Sequence, residues 1–125
     1  MPEPNAIILT GDANDVLPTL PSDIISTCVT SPPYWTPHDG SELGMEASLD
    51  AYVDELVRVF RKVRRVLKDD GTLWLNLGNP MGMPWSVAYA LEDDGWILLA
   101  DIIWAKPCKQ STSGVRHTMH TPTSN

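Results

Sequence analysis

Asp23-Ile-Ile-Ser-Thr-Cys-Val-Thr30, running directly into Ser31-Pro32-Pro33-Tyr34-Trp35, is the stretch on which the reading of this 125-residue chain turns. The first part is apolar and rich in β-branched residues, which predicts a buried strand. The second part stops that strand. Proline offers no N–H to a ladder and holds the residue before it in extended conformations, so a proline pair makes a stiff turn. The same alternation of strand and interruption extends in both directions. Upstream, the run over 6–9 predicts a strand ending at Thr10-Gly11-Asp12. Residues 12–20 predict a short helix with Asp12 or Asn14 as cap and Pro18 near its end. Downstream, residues 34–47 have no regular period and read as a long loop, the kind that is commonly functional in a compact domain.

Ser48 caps the clearest helix. Leu49, Tyr52, Val53, Leu56, Phe60, Val63 and Leu67 recur at helical spacing, and Asp69-Asp70-Gly71 ends it. Residues 72–77 alternate as a strand stopped by Gly78, and residues 84–91 predict a second helix with proline near its start. After the turn at Asp93-Asp94-Gly95, residues 96–104 form a long β-rich run broken by Asp101. The order strand, short helix, strand, helix, strand, helix, strand predicts an α/β fold, a mostly parallel sheet with flanking helices. Residues 107–125 differ, since seven of the nineteen are Ser or Thr. One domain is expected over 1–107, with 108–125 as an unpacked tail.

No stretch of 18 apolar residues exists, so no membrane span is expected, and the start Met1-Pro2-Glu3-Pro4-Asn5 lacks the features of a signal peptide. A cytoplasmic protein with reduced Cys28 and Cys108 is the expectation. The net charge is −7. That balance argues mildly against tight DNA binding by this chain alone, because such affinity comes largely from phosphate neutralisation. Six of the nine Lys and Arg residues lie between Arg58 and Lys68. A solvated helix face explains them more simply than phosphate contacts do.

The chemistry resides in the Ser31–Tyr34 turn. In open α/β sheets ligands bind at the carboxyl ends of strands, which is where this turn falls. There it can aim the Ser31 hydroxyl and the Pro32 carbonyl into a crevice as acceptors, with Tyr34 as a flat aromatic face beside them. Such a site suits an exocyclic amine on a planar ring. The amine donates to the oxygens, the ring stacks on tyrosine, and the lone pair is drawn out of conjugation toward a methyl donor. Alone, Pro-Pro-Tyr is found in many ordinary loops.

Its flanks add specificity. Gly11-Asp12, Thr30-Ser-Pro-Pro-Tyr-Trp35, Leu43-Gly-Met-Glu46, Tyr52-Val-Asp-Glu-Leu56, the stretch from Arg65 through Thr72-Leu-Trp-Leu-Asn-Leu-Gly78, and Asp94-Gly-Trp96 through Asp101 to Pro107 follow in one order. In that order they resemble the permuted (β-class) DNA amino-methyltransferases of restriction–modification systems, over about residues 6–107. The resemblance implies a partial Rossmann-like methyltransferase sheet with flanking helices, and S-adenosylmethionine as methyl donor. It implies double-stranded DNA as partner, with the target base flipped out of the duplex. Ser31, Pro32, Pro33 and Tyr34 match the turn that receives the base. A serine at the first position is commoner among enzymes acting on cytosine N4, and adenine N6 stays open. Asp12 matches an acidic position that contacts the donor's adenine amine, and a helix cap explains it about equally well.

Asn76 and Asn79 could line the base pocket, although Asn79 before Pro80 is also an ordinary turn residue. Asp101 and Trp104 fall in the family's later strand block. Cys108, His117 and His120 fit no metal spacing, and no metal is expected.

Two departures stand out. The family's Phe-x-Gly-x-Gly turn, which hugs the methyl donor, is absent: the single phenylalanine, Phe60, is followed by Arg61-Lys62-Val63. The link from Leu77-Gly-Asn79 to Met83-Pro-Trp85 is also very short. A fragment is therefore expected, with poor folding, dimerisation or a second polypeptide supplying the cofactor half as the open alternatives, and with S-adenosylmethionine bound weakly or not at all by this chain alone. Two other readings compete. One is an inactive remnant that contacts DNA or another subunit through the Arg58–Lys68 helix. The other is a methyltransferase acting on RNA or protein.

Overall fold

A computed structural model describes residues 5–35, 43–78 and 83–105. Its elements are α1 (Ala13–Val16), extended by a 3-10 turn over Leu17–Thr19, then β1 (Ile25–Thr30), α2 (Leu49–Val66), β2 (Leu67–Leu75) and α3 (Met83–Asp93). The strands β1 and β2 pair in parallel, with the long helix α2 as the crossover between them. This parallel pair with packed helices is a partial Rossmann-like α/β arrangement.

The helix α2 starts where its spacing predicts but ends at Val66, so Leu67, expected on its buried face, and Asp69-Asp70-Gly71, expected as its stop, lie in β2 instead. Ser48 Oγ accepts from Ala51 N at 3.2 Å, Asp50 lies in the first turn, and Arg64 and Arg65 lie in the last. Each placement complements an orphan group or the helix dipole. At the other end, Asp23 N and Ile24 N donate to Arg65 O and Val66 O, so the entry to β1 satisfies carbonyls that a helix end leaves open.

One face of α2 buries Tyr52, Val53, Leu56, Phe60, Val63 and Val66. Facing it, α3 buries Met83, Val87 and Leu91, one turn apart, and Leu67 joins the same cluster. Each such side chain contributes roughly 1.5–3 kcal/mol on full burial.

The basic cluster lies largely on the surface and has partners within the chain. Arg65 donates to Leu17 O, Leu20 O and Ser22 Oγ, and Lys62 donates to Asn14 O and Oδ1. Arg61 Nε donates to Asp94 Oδ1 at 2.9 Å, and Arg64 donates to Asp94 O. The Arg61 guanidinium holds the Asp94 carboxyl below the usual carboxylate range, chiefly through that hydrogen bond. Arg58 pairs with Glu55, and Lys68 reaches Ser26 Oγ. These side chains tie α1, the turn into β1 and the end of α3 onto α2.

Three expectations need correction. The runs 6–9 and 96–104 are not strands. Their composition favours extended backbone, but a strand exists only through ladder hydrogen bonds, and neither run has them among the described residues. Ile7, Ile8, Ile97, Leu99 and Ile103 are accordingly exposed. The strand β1 is not buried either: Ser26, Thr27 and Val29 are exposed and the other three residues are half-buried.

The strand β2 starts at Leu67, five residues earlier than its alternation suggests. Ile25 pairs with Leu67 but Thr27 pairs with Thr72, so Lys68–Gly71 bulge out of the ladder. A Cβ on Gly71 would lie 2.8 Å from Lys68 O, which explains glycine at the bulge. The expected tail, 108–125, lies outside the described residues, as do Asn79, Cys108, His117 and His120.

Candidate functional site

Side by side and parallel, β1 and β2 end at the same edge, and the Ser31–Tyr34 turn leaves from that edge. Asn76 N donates to Thr30 O at 2.9 Å, which carries the ladder one step beyond β2. From this fixed backbone the Asn76 side chain reaches both ends of the turn. Its Nδ2 donates to Ser31 Oγ at 3.1 Å and to Tyr34 Oη at 3.0 Å. One amide therefore spans the first and last residues of the motif.

Two further contacts hold the turn. Tyr52 is completely buried in α2, and its hydroxyl donates to Pro33 O at 2.8 Å. Its phenol is pushed up to about 12, first by burial, then by the charges of Glu46 and Tyr34. At that value Tyr52 stays a donor under ordinary conditions. The Tyr34 ring rests on the backbone of Gly78, where a Cβ would lie 2.9 Å from the ring. One side of the ring is thus backed by the chain, and the residue is still 44% exposed, so aromatic surface remains for a planar ligand.

The segment Leu43–Glu46 closes over the turn from outside. Gly44 has φ +92°, and a Cβ there would meet Tyr34 O at 2.9 Å, so this position needs glycine for both reasons. Gly44 N donates to Glu46 Oε2 at 2.9 Å, and Trp35 Nε1 donates to Glu46 O at 3.0 Å.

The structure thus brings Ser31, Pro32, Pro33 and Tyr34 together with Asn76. Asp12 stands apart from them as the N-cap of α1, where Oδ1 accepts from Asn14 N at 2.7 Å. Asp101 lies in the exposed segment after α3. The sequence placed Tyr52 among the core positions of its helix and in one of the blocks shared with the resembled family, without a role at the turn. Its hydroxyl was the available signal, because a tyrosine on a buried helix face needs a polar partner. The roles of Gly44 and Gly78 depend on how closely Tyr34 approaches, which spacing does not reveal.

Among the described residues, no group of three or more His, Cys, Asp and Glu could hold a metal ion, and no helix is long and apolar enough to cross a membrane.

A family model for DNA methylases, covering N6 and N4 types, matches residues 25–122. The chain is 38% identical to the Type II methyltransferase M.SmaI of Serratia marcescens, over 85% of this chain and 49% of that protein. It is likewise 38% identical to M.XycI of Xanthomonas campestris pv. cyanopsidis, with the same coverage of each chain. Against M.Cfr9I of Citrobacter freundii it is 36% identical, over 82% of this chain and 47% of the relative. The chain spans about half the length of the curated relatives it matches. No solved structure matches it.

Proposed function

The chain belongs to the DNA methylase family, and on that premise we propose that it forms the base-receiving half of an enzyme that methylates the exocyclic N4 amine of cytosine in double-stranded DNA. The observation that carries the proposal is the turn at the shared edge of β1 and β2. Ser31 and Tyr34 are pinned there by Asn76, and Pro33 by Tyr52. A flipped base enters this crevice and stacks on Tyr34. The Pro32 carbonyl accepts an amine hydrogen, and Ser31 contacts the same ring edge. Holding the amine in one orientation removes much of the entropic barrier to transfer. Its proton leaves after the nitrogen has become positive, so no strong base is required beforehand.

S-adenosylmethionine is the donor that the family reading supplies. The residues described here do not by themselves build its site. The only phenylalanine, Phe60, is buried in α2, and Asp12, the candidate contact to the donor's adenine amine, already caps α1. The donor half is therefore assigned to sequence of the kind that fills the rest of the relatives. Adenine N6 is the second reading, since an amine beside an unprotonated ring nitrogen fits the same turn. A non-catalytic DNA-binding role for the Arg58–Lys68 helix is disfavoured, because those side chains are engaged within the chain.

The test is reconstitution. The chain is co-expressed with the complementary half of the M.SmaI relative, and the methylated nucleosides from duplex DNA are identified by mass spectrometry. N4-methylcytosine is the expected product, and N6-methyladenine would move the assignment to the second reading. Tyr34→Ala should lower the methylation rate through lost stacking, worth roughly 1–3 kcal/mol per base, while Tyr34→Phe keeps the ring and most of the rate. A Tyr34→Ala enzyme as active as the parent would remove the stacking role.

A further inference from the structure

We propose that the free edge of β2 is an interface between two copies of this chain. The run 97–102 of each copy enters the cleft beside β2 of the other, and the two sheets join across a two-fold axis.

The strand β1 takes one edge of β2, and among the described residues nothing takes the other. Beside β2 lies a cleft of about 1060 Å³. Residues 73–77 line it from β2, Trp85, Ala88 and Leu91 line it from α3, and the run lines it over 97–102. The run does not close this cleft itself, because its start is tied elsewhere. Trp96 N donates to Leu91 O at 3.0 Å and Gly95 N to Glu92 O at 2.9 Å, while Arg61 and Arg64 of α2 hold Asp94. The run therefore leaves from the junction of α2 and α3 and makes no ladder with β2.

One chain thus carries both halves of an unmade contact: an unpaired strand edge, and an unpaired run of strand-like composition. A closed dimer sets the same patch of each copy against the other, so a single two-fold satisfies both halves twice. With the second copy's run in the cleft, the order across the joint sheet is β1, β2, second run, own run, second β2, second β1. Each run then lies between two strands. Its backbone groups enter ladders on both sides, the interaction that carries strand-addition complexes in general.

The apolar surface favours the same occupant. Ile97 and Leu99 are 81% and 82% exposed, and Ile102 is 70% exposed. With Ile103, Trp74 and Trp85 they offer apolar surface of the order that one partner of a stable complex buries, about 800 Å². The only charge between Trp96 and Ala105 is Asp101. Such a run is suited to the inside of a sheet, and left in water it is a template for association.

The test is sedimentation equilibrium of the 125-residue chain from the low micromolar range upward. The mass should rise from 13.8 kDa to twice that value and stop there, because a two-fold closes. Amides of 97–102 should exchange freely in dilute solution and become protected as the dimer forms. Leu99→Lys sets a charge inside the joint sheet and should weaken the dimer by about tenfold or more. Ile8→Lys changes an equally exposed apolar residue outside the cleft, and should dimerise like the parent. Leu99→Pro removes an N–H from a strand bonded on both sides, and decides the matter should Leu99→Lys fail to fold. Each copy carries a charge of −7, so added salt should tighten the dimer by screening repulsion. The proposal is overturned if the mass stays at one chain, if it climbs beyond two, if Ile8→Lys disrupts association as much as Leu99→Lys, or if salt dissolves the dimer. It is also overturned if the chain stays monomeric and 97–102 become protected only on adding the complementary half of the M.SmaI relative, which would give the cleft to that occupant.

Discussion

The edge around Ser31–Tyr34 and the run at 96–105 are both rich in apolar and aromatic residues, yet they end up in opposite states. At the edge, Asn76, Tyr52 and Gly78 each engage the turn, from positions about 20 to 45 residues away in sequence. In the run, Ile97 is 81% exposed and Ile103 is 84% exposed. The difference lies in what each requires. The edge needs two parallel strands and the one helix that joins them, and the chain contains all three. A further strand needs a ladder partner, and residues 96–105 have none among the described residues. The turn can thus be held in place from several sides while the sheet around it is not extended among the described residues.

The strongest way to break this comparison is to remove the scaffold under the edge. Phe60 is 2% exposed, in the middle of the α2 face that packs on α3. Phe60→Ala should cost about 3–5 kcal/mol in urea unfolding, a large share of the stability of a domain this size. The turn should lose its fixed geometry in the same transition, read as collapse of the Tyr34 ring shifts by NMR. If those shifts survive while α2 melts, the edge does not depend on its scaffold.

Which parts of this were legible beforehand follows from the range of the interactions. The helix α2 was readable from its cap through its buried face, because both are local, but not at its end: Leu67 fits the helical spacing and opens β2 instead. The Ser31–Tyr34 turn was readable because two prolines dictate a conformation without help from the rest of the chain. Asn76 was visible as a candidate to line the base pocket, but not as a residue that holds the turn. Its double contact depends on the parallel register of β1 with β2, which brings residues 45 apart into contact. The runs 6–9 and 96–104 misled for the converse reason. Their β-branched composition states a preference, while pairing is a property of two segments. The bulge at Lys68–Gly71 was half legible: Asp69-Asp70-Gly71 read as an interruption that ends the helix, and the interruption is there, but inside the strand.

A smaller effect sharpens the comparison at the edge itself. Tyr52→Phe keeps the buried ring and removes the donor to Pro33 O, which should cost about 0.5–1.5 kcal/mol. The pH dependence carries a separate signature. The phenol is raised in the folded chain, from about 10 to about 12, so the folded state favours the protonated form. Its contribution to stability is fully present below pH 10 and is lost as pH rises through 12. The parent should lose stability across that window, and Tyr52→Phe should lose less. Equal alkaline profiles for the two chains would show that Tyr52 is not the group that titrates.

The smallest expected effect on stability belongs to the exposed run, and it tests the other half of the comparison. Ile97 and Ile103 lie outside the core cluster that α2 and α3 share. Replacing both with serine removes apolar surface that is already in water, so the transfer term that makes core substitutions costly is nearly absent. Unfolding free energy should stay within about 0.5 kcal/mol of the parent, the usual range for surface changes. Self-association should change more than stability does. A contiguous apolar surface is a liability in a free chain, and together with Leu98, Leu99 and Ile102 these residues form a long exposed stretch. The double variant should sediment with less concentration-dependent association than the parent. If it instead loses several kcal/mol of stability, the run is packed in solution, and the contrast between a finished edge and an unfinished sheet disappears.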